Sequence, residues 1–321
     1  MDVETTGPCA PSPGGSSPGV TAAPDGAGAD GPTGDASGSV DVSEAAALVG
    51  RVRAADGRAP DGPPDLASVD LIAERDGATG ELAALAWRPR NPDGADPAEL
   101  YVDPRFRGRG IGRRLARLLL TEPGGIWAHG TLPAASHLAA ALGLSPAREL
   151  LQLRADLPAP ACVPGTAVPD GVAIRTFRPG VDDAEFLRVN AAAFAWHPEQ
   201  GRLDQRGLDA EMTQPWFDPA GFFLAVPVAD PDRVLGFHWT KVHPAEPPAE
   251  PNPVGEIYVL AVDPASPVRH LGGPLTAAGL DHLADRGLRS ALLYVEADNE
   301  PAVRLYRRFG FVDHVVDTVF A

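Results

Sequence analysis

Cysteine is scarce in this chain of 321 residues. The two cysteines, Cys9 and Cys162, lie far apart and have no histidine or cysteine at ligand spacing, so neither a disulfide framework nor a zinc cluster is expected. Long apolar runs are also missing, since no stretch approaches the roughly 18 residues that a membrane-spanning helix needs. Positive charge is outweighed, because 27 Lys and Arg face 43 Asp and Glu for a net charge of −16. We therefore expect a cytoplasmic protein that binds no metal, nucleic acid or membrane.

Two stretches of the chain lack the large apolar residues that a core requires. Residues 1–40 contain 9 Gly and 6 Pro, which predicts a disordered tail, and they include no secretory leader pattern. Residues 157–170 read LPAPACVPGTAVPD, which predicts an interdomain linker. The chain length favours two domains. We place them at residues 41–156 and 171–321.

A tripeptide repeat indicates that the two domains are copies of one fold. Val-Asp-Pro occurs at residues 102–104 and again at residues 262–264, each time after an extended apolar run and before a helical one. The second half predicts a strand, a helix, three strands, a helix, a strand, a helix and a last strand. Asn299 is the predicted N-cap of the last helix and Gly310 its C′ residue. Runs of strands between the helices predict two α/β domains with mixed, not purely parallel, sheets.

A glycine-rich loop follows the first Val-Asp-Pro. Residues 107–112 read RGRGIG between a strand and a helix. Glycines there let backbone N–H groups approach an anion closely, and the helix N-terminus adds a favourable dipole. We expect the arginines around this loop to serve anion binding, with a solvated basic face as the alternative; they are Arg105, Arg107, Arg109, Arg113, Arg114 and Arg117.

The spacing Arg-x-x-Gly-x-Gly after a strand that ends in Val-Asp-Pro resembles the acetyl-CoA-binding motif of the GNAT superfamily of N-acetyltransferases. A dinucleotide-binding fold fits less well, because the three-glycine spacing is absent. The ending ALLYVEADNEPAVRLYRRFGF is similar to the last strand and helix of a GNAT domain. The tandem pair, with HPEQG at residues 197–201, resembles members that acetylate the cysteinyl amine of a cysteinyl-glucosaminyl-inositol. This resemblance implies tandem GNAT domains, acetyl-CoA as cosubstrate and a small-molecule amine as acceptor. We also expect a monomer.

The resemblance also implies an acid and a base for acetyl transfer. Glu256 is the expected general base and a substrate contact, and alternation along GEIYVLAV would place it on one strand face with Tyr258 and Leu260. Tyr306 is the expected acid that protonates the departing thiolate. A structural role for Tyr306 stays open, because its spacing within EPAVRLYRRF also fits a buried helical stripe.

The remaining expected substrate contacts are Lys241, Glu199 and Tyr294. Lys241 is the only lysine among 27 basic residues, so a compact ammonium could be needed at that place. Chance on an exposed strand end is the alternative for Lys241. Glu199 could equally cap a helix, and Tyr294 could belong to the core.

The implied cofactor contacts lie in both halves. In the first half they are Leu100, Tyr101, Val102, Arg107, Gly108, Arg109, Gly110, Ile111 and Gly112. In the second half they are Leu260, Ala261, Val262, Val268, Arg269, His270, Leu271, Gly272, Gly273, Asn299, Glu300, Ala302, Val303 and Arg304.

Each half departs from the family pattern in a different way. In the second loop Pro267 replaces a long polar residue and His270 replaces a glycine, so we expect a strained turn and weakened binding, although residues 268–273 still offer six backbone donors. In the first half Ala139 aligns with Tyr306, so that half lacks the acid. Near Gly62 the family places a substrate-binding acid, and Asp61 or Asp65 could substitute for it.

Two other functions stay open. The chain could be a tandem acetyltransferase for another amine, such as a protein N-terminus or an aminoglycoside. It could also be a CoA-binding module without turnover, which the altered second loop favours.

Overall fold

The computed structural model describes residues 5–6, 40–57, 65–90, 96–195, 200–247 and 250–321. The strands are β1 (Thr5–Thr6), β2 (Val69–Arg75), β3 (Leu82–Pro89), β4 (Glu99–Val102), β5 (Ile126–Ala128), β6 (Pro146–Asp156), β7 (Val172–Thr176), β8 (Phe222–Pro227), β9 (Gly236–His243), β10 (Val254–Val262), β11 (Ser290–Glu296) and β12 (Val312–Phe320). The helices are α1 (Val42–Asp56), α2 (Ile111–Leu119), α3 (Pro133–Leu142), α4 (Asp183–Ala193), α5 (Gln205–Met212), α6 (Gly272–Asp285) and α7 (Glu300–Arg308).

The described residues form two compact units that differ from the predicted domains at both borders. The N-terminal unit contains the described residues up to Arg148 together with Asp317–Ala321, and the C-terminal unit contains Glu149–Val316 with β1. The difference arises because β6, from the first half of the sequence, pairs with β11. The last residues of β12, in turn, pair with β5.

The C-terminal unit is built on one mixed sheet with the strand order β12-β6-β11-β10-β9-β8-β7, in which β12 contributes its residues up to Val316. β10 and β11 run parallel, whereas the other pairs described in this sheet are antiparallel. One core packs α6 and α7 on the sheet, and a second core packs α4 and α5 on its opposite face. The predicted mixed α/β architecture is therefore confirmed.

The N-terminal unit repeats this plan with fewer strands. β2, β3 and β4 form an antiparallel sheet, and a single parallel bridge joins Ala98 to Ile126 at the start of β5. Side chains alternate along β3, so that Leu85 packs toward α1 while Ala84 packs toward α2. Each face of the sheet therefore has its own helix.

The two Val-Asp-Pro sites have the same local structure. Asp103 and Asp263 are both buried, at 0% and 3% exposure. Arg51 from α1 binds Asp103 at 2.7 Å, and Arg188 from α4 binds Asp263 at 2.8 Å. In each unit the repeated aspartate thus anchors the first helix of that unit, which supports the interpretation of the halves as copies.

The predicted linker packs on the C-terminal unit. Val163 belongs to the core that holds α6 and α7, and the amide of Leu157 donates to the carbonyl of Arg289 at 2.9 Å. In the predicted tail, Thr5 and Thr6 pair with β10. Disorder of the rest of residues 1–39 lies outside the described residues. None of the described helices has the length and apolarity that crossing a membrane requires.

Candidate active site

The site of the C-terminal unit lies where two neighbouring strands separate. β10 and β11 pair at Gly255 with Ala291 and at Glu256 with Leu292, and the described pairing of these strands ends there. Beyond Glu256, the edge of β10 pairs instead with β1. In the N-terminal unit, the described pairing between the β4 segment and β5 is a single bridge that joins Ala98 to Ile126. In each unit two parallel strands therefore stop pairing at the same place in the topology, which we call the strand gap; in the C-terminal unit β1 covers the β10 edge of that gap.

A β-bulge in β10 corrects the predicted strand face. The register with β9 shifts between Ile257 and Val259, which leaves Tyr258 as an extra residue. An extra residue inverts the alternation beyond it. Leu260 therefore faces the core of α6 and α7, not the face that carries Glu256. The expectation that Glu256, Tyr258 and Leu260 share one face was wrong for Leu260.

Three expected substrate contacts lie on one face of this sheet. Lys241 is directly opposite Glu256 in the β9–β10 register. The register from β10 through β11 places Tyr294 on the same side, two residues beyond Leu292. Glu199, the fourth, lies outside the described residues. We call this surface the acceptor face.

Glu256 is buried on the acceptor face and has a histidine partner. Its exposure is 4%, and Nε2 of His243 lies 2.6 Å from its Oε2. His243 is two residues beyond Lys241 on β9, so alternation puts both side chains on the same side. We did not predict His243 from the sequence, although that spacing was the available signal.

Aromatic rings hold the ammonium of Lys241. Its Nζ lies 4.6 Å from the ring centre of Trp216 and 4.8 Å from that of Tyr258. Burial raises the pKa of Tyr258, and the charges of Glu211 and Glu256 raise it further. Burial also raises the pKa of Glu211, against the effect of Lys241. Trp216 and Glu211 were not predicted, because helix α5 and the turn after it were missed.

Three buried polar atoms on the acceptor face have no hydrogen-bond partner among the described residues. They are Oε1 of Gln152, Nε of Arg154 and Nε1 of Trp239. Nε2 of Gln152 donates to the hydroxyl of Tyr294 at 2.6 Å, whereas Oε1 of the same side chain accepts no hydrogen bond from any described residue. Buried polar groups are rarely left unpaired. A ligand with several hydroxyl groups would satisfy them.

Tyr306 is a core residue of the C-terminal unit. It is fully buried in the core of α6 and α7, with its ring 5.8 Å from that of Phe311. Ile257 belongs to the same core, on the sheet face opposite Glu256. The predicted buried stripe is therefore confirmed. The role of Tyr306 as an acid stays a prediction.

The second phosphate loop keeps one of the two left-handed turns of the first. His270 has φ +63° two residues before α6 begins, and Gly110, which aligns with it, has φ +77° directly before α2. Gly108 has φ +76°, whereas Val268, which aligns with it, is not left-handed. The turn that we expected His270 to penalise is thus formed despite its Cβ.

The expected set of six free backbone donors in this loop is too large. The amide of Val268 donates to Oγ of Ser266 at 3.2 Å. The predicted linker also packs against the loop, since a Cβ on Gly273 would lie 2.1 Å from the carbonyl oxygen of Gly165. Anion binding here therefore depends on fewer groups than the sequence indicated.

The N-terminal unit contains a cavity of about 750 Å³ beside its intact glycine loop. The expected cofactor contacts of this half line it, except for Arg109, which binds Asp76 at 3.0 Å. The lining contacts are Leu100, Tyr101, Val102, Arg107, Gly108, Gly110, Ile111 and Gly112. Ala139, which aligns with Tyr306, lies in the wall. The site is of a size common for small-molecule pockets.

Known proteins place the chain in a family. The model of the Acetyltransferase (GNAT) family matches residues 189–311. A mycothiol acetyltransferase of Nocardia farcinica is 49% identical over 284 residues, which are 85% of this chain and 91% of that protein. One from Streptomyces coelicolor is 49% identical over 81% of each chain. The chain belongs to the mycothiol acetyltransferases.

Solved structures confirm the fold of this mycothiol acetyltransferase family member. A GCN5-related N-acetyltransferase from Sphaerobacter thermophilus is 22% identical with a TM-score of 0.59, over 86% of this chain and 90% of that one. A tandem GNAT protein from the clavulanic acid biosynthesis pathway is 20% identical with a TM-score of 0.54, over 87% and 93%. The predicted tandem GNAT architecture is thus confirmed.

Several arginines of the first loop are already paired with acids. Arg105 binds Asp103, Arg107 binds Asp56 at 2.7 Å, Arg109 binds Asp76 and Arg114 binds Glu74, so their charges are balanced within the unit. Arg113 lines the cavity. In this mycothiol acetyltransferase family member, the loop backbone and Arg113 are therefore better placed to bind an anion than the four paired arginines are.

An unpredicted charged cluster includes two residues that line the cavity, His129 and Tyr101. Nε2 of His129 is 3.0 Å from Glu99 and its Nδ1 is 3.5 Å from Asp317, while the Tyr101 hydroxyl donates to Glu99 at 2.6 Å. Burial opposes protonation of His129, but the two carboxylates raise its pKa to about 10. His129 is therefore a cation at neutral pH and a poor base.

The last helix and the first-half substrate position complete the predicted set. Asn299 caps α7 by accepting from the amide of Ala302 at 3.3 Å, and Gly310 has φ +88°, so both predicted ends are confirmed. Glu300 and Arg304 pair with each other at 2.7 Å on the exposed side of α7. Asp65 accepts from a local amide, whereas Asp61 and Gly62 lie outside the described residues.

Proposed function

We propose that this protein transfers the acetyl group of acetyl-CoA to the cysteinyl amine of a cysteinyl-glucosaminyl-inositol, which completes mycothiol. The observation that carries this proposal is the acceptor face, where Lys241, Glu256 and Tyr294 share one side of the sheet at the strand gap. Relatives between 45% and 50% identical bear the name mycothiol acetyltransferase. We propose that it acts in the cytoplasm as a monomer.

The acceptor face suits this substrate class. The unpaired atoms of Gln152, Arg154 and Trp239 offer buried hydrogen-bonding positions for the hydroxyl groups of a sugar and an inositol. Lys241 adds a cation that its aromatic neighbours hold in place. Glu256 supplies the carboxylate that an amine acceptor needs.

The chemistry needs a base, donors for the carbonyl oxygen and an acid. Acetyl-CoA supplies the acetyl thioester. Glu256 takes a proton from the acceptor ammonium, so that the neutral amine can attack the thioester. Backbone amides of residues 260–262, on the edge of β10 that β1 covers in this structure, stabilise the charge that develops on the carbonyl oxygen once β1 has left that edge. Tyr306, on the other side of the sheet, then protonates the departing thiolate.

Both units are proposed to bind CoA, but with unequal completeness. The N-terminal unit has both left-handed glycines and a groove, and it has Ala139 where the acid would be. The C-terminal unit has Glu256 and Tyr306 but a loop with fewer free donors. Turnover is therefore assigned to the C-terminal unit.

Release of CoA in the presence of the cysteinyl-glucosaminyl-inositol is the direct test. Glu256→Gln should lower kcat by about 10²- to 10⁴-fold, the usual contribution of a general base, while the Kd for acetyl-CoA stays near its original value. Tyr306→Phe should also lower kcat. Glu122→Gln, an exposed carboxylate in the other unit, is the matched control and should change neither quantity.

A panel of other amines tests the substrate assignment. We expect an aminoglycoside and a peptide N-terminus to react with a kcat/KM far below that of the thiol precursor. A higher kcat/KM for either would overturn the mycothiol assignment. Binding of acetyl-CoA without product from any amine would favour a module without turnover.

A further inference from the structure

We propose that His243 positions the carboxylate of Glu256 and carries the proton that Glu256 receives out to solvent. This inference rests on the proposed function of Glu256 as the base. It adds a residue to the reaction that neither the loop motif nor the tandem pattern indicates.

The contact geometry links a buried carboxylate to the surface. The Glu256 side chain is 6% exposed and the His243 side chain is 38% exposed, with Nε2 and Oε2 separated by 2.6 Å. A carboxylate that takes a proton at a buried site must release it before the next turnover. The imidazole is the group in contact with both Glu256 and water, so it provides the shortest described route.

The neighbours of Glu256 do not replace His243 in this role. Lys241 is opposite Glu256 in register, but its ammonium lies over the rings of Trp216 and Tyr258. The hydroxyl of Tyr258 bonds to Glu211. Among the described residues, His243 is therefore the side chain that contacts the Glu256 carboxylate and can accept its proton.

The proton balance requires no further reactant. An N–H bond of the acceptor ammonium breaks as an O–H bond forms on Glu256. That O–H bond then breaks as an N–H bond forms on Nε2 of a neutral His243. The resulting imidazolium loses its Nδ1 proton to water, which leaves Nε2–H donating to the carboxylate of Glu256. Proton exchange with water then moves this hydrogen back to Nδ1, which restores both the starting charge and the starting tautomer of the pair. His243 does not touch the reacting atoms, so it is a positioning residue for Glu256.

Other charged or titratable groups lie on the elements around the pair and must stay constant in any pH comparison. They are Lys241 on β9, Tyr258 on β10, Glu211 on α5, Arg154 on β6 with its partner Glu250, and Glu246 in the loop after β9. Comparing variants at His243 leaves all of these groups in place. A change on the acidic side of the plot of kcat against pH, between these variants and the original enzyme, then reports on His243.

Full-length enzyme with His243→Ala and His243→Gln tests the proposal. We expect His243→Ala to lower kcat by about ten- to a hundredfold, a part of what the base contributes, with little change in the KM for acetyl-CoA. His243→Gln keeps a donor for the carboxylate but no exchangeable imidazole, so its kcat should lie between those of His243→Ala and the original enzyme. Added imidazole should raise the kcat of His243→Ala in a saturable way. His137→Ala, a histidine of α3 in the other unit, should show neither effect.

A double variant separates this proposal from the proposed function. If the two residues act as a unit, Glu256→Gln with His243→Ala should lose no more activity than Glu256→Gln alone. Losses that multiply, an unaltered kcat in His243→Ala or the absence of imidazole rescue would overturn the role of His243. An active Glu256→Gln would instead overturn the assignment of the base. Acetyl-CoA affinity measured by calorimetry verifies that each variant is folded.

Discussion

Replacement of His270 by glycine tests whether the second phosphate loop stores strain. His270 has φ +63°, a conformation that costs an L-residue about 1–2 kcal/mol relative to its preferred region. Glycine adopts this conformation freely but loses about 0.5–1 kcal/mol more entropy on folding. The net expectation is that His270→Gly stabilises the C-terminal unit by about 0.5–1 kcal/mol.

Arg269→Gly is the matched control for this measurement. Arg269 is the adjacent residue and does not have a positive φ. Its replacement carries the same entropic cost without relieving a left-handed turn, so it should destabilise the unit. The entropic cost of glycine cancels in the difference between the unfolding free energies of the two variants. That difference should therefore equal the backbone strain at His270, about 1–2 kcal/mol.

Urea denaturation followed by fluorescence of the tryptophans would measure both free energies of unfolding. Thermal melts should show the same order of stability, with a shift in Tm of about 2–4 °C for each kcal/mol of unfolding free energy in a unit of this size. Equal changes in the free energy of unfolding of the two variants would refute the proposal that His270 is strained. The loop is already formed, so the Kd of CoA should change by less than about threefold in His270→Gly. A larger loss would show that the imidazole itself binds the anion.

Three further predictions concern other parts of the chain. Burial raises the pKa of Asp103, but hydrogen bonds from Arg105 and Arg51 outweigh it and lower this pKa to about 2. The stability that ionised Asp103 gives the folded protein is therefore present above about pH 4 and is lost as the pH falls toward 2. Asp103→Asn should therefore cost about 2 kcal/mol at pH 7 in urea titrations and flatten the stability profile below pH 4. Gly279→Ala should lower Tm because its Cβ would lie 2.1 Å from a buried histidine ring, whereas Gly50→Ala has free space and should not. Deletion of residues 1–10 should tighten calorimetric binding of acetyl-CoA by freeing the edge of β10, and deletion of residues 21–30 should leave it unaltered.

Local sequence patterns predicted the elements that local interactions decide. The strand and helix order of the second half was correct apart from α5, and the cap at Asn299 and the turn at Gly310 lie where the residue types placed them. Helix α5 was missed because it is short, although Asp204 caps it. That omission also hid Glu211 and Trp216, so part of the acceptor face was not predicted.

Pairing between distant segments was not predictable in the same way. Nothing within β6 indicates that it pairs with β11, because its apolar alternation fits either unit. The bulge at Tyr258 likewise leaves the apolar run of β10 intact while it inverts the side of Leu260. Both features depend on which neighbouring strand offers hydrogen bonds, and that information lies elsewhere in the chain.

The two glycine loops show why a motif and a conformation must be judged separately. Judged by residue type, the second loop is badly altered, because a histidine replaces a glycine and a proline precedes it. Judged by backbone, it keeps the turn that directs the chain into α6, because the buried residues after His270 fix the start of that helix. What the second loop loses is the turn at Val268, whose amide now bonds within the loop. The substitution that looks most damaging is therefore tolerated, and the less conspicuous one removes a donor.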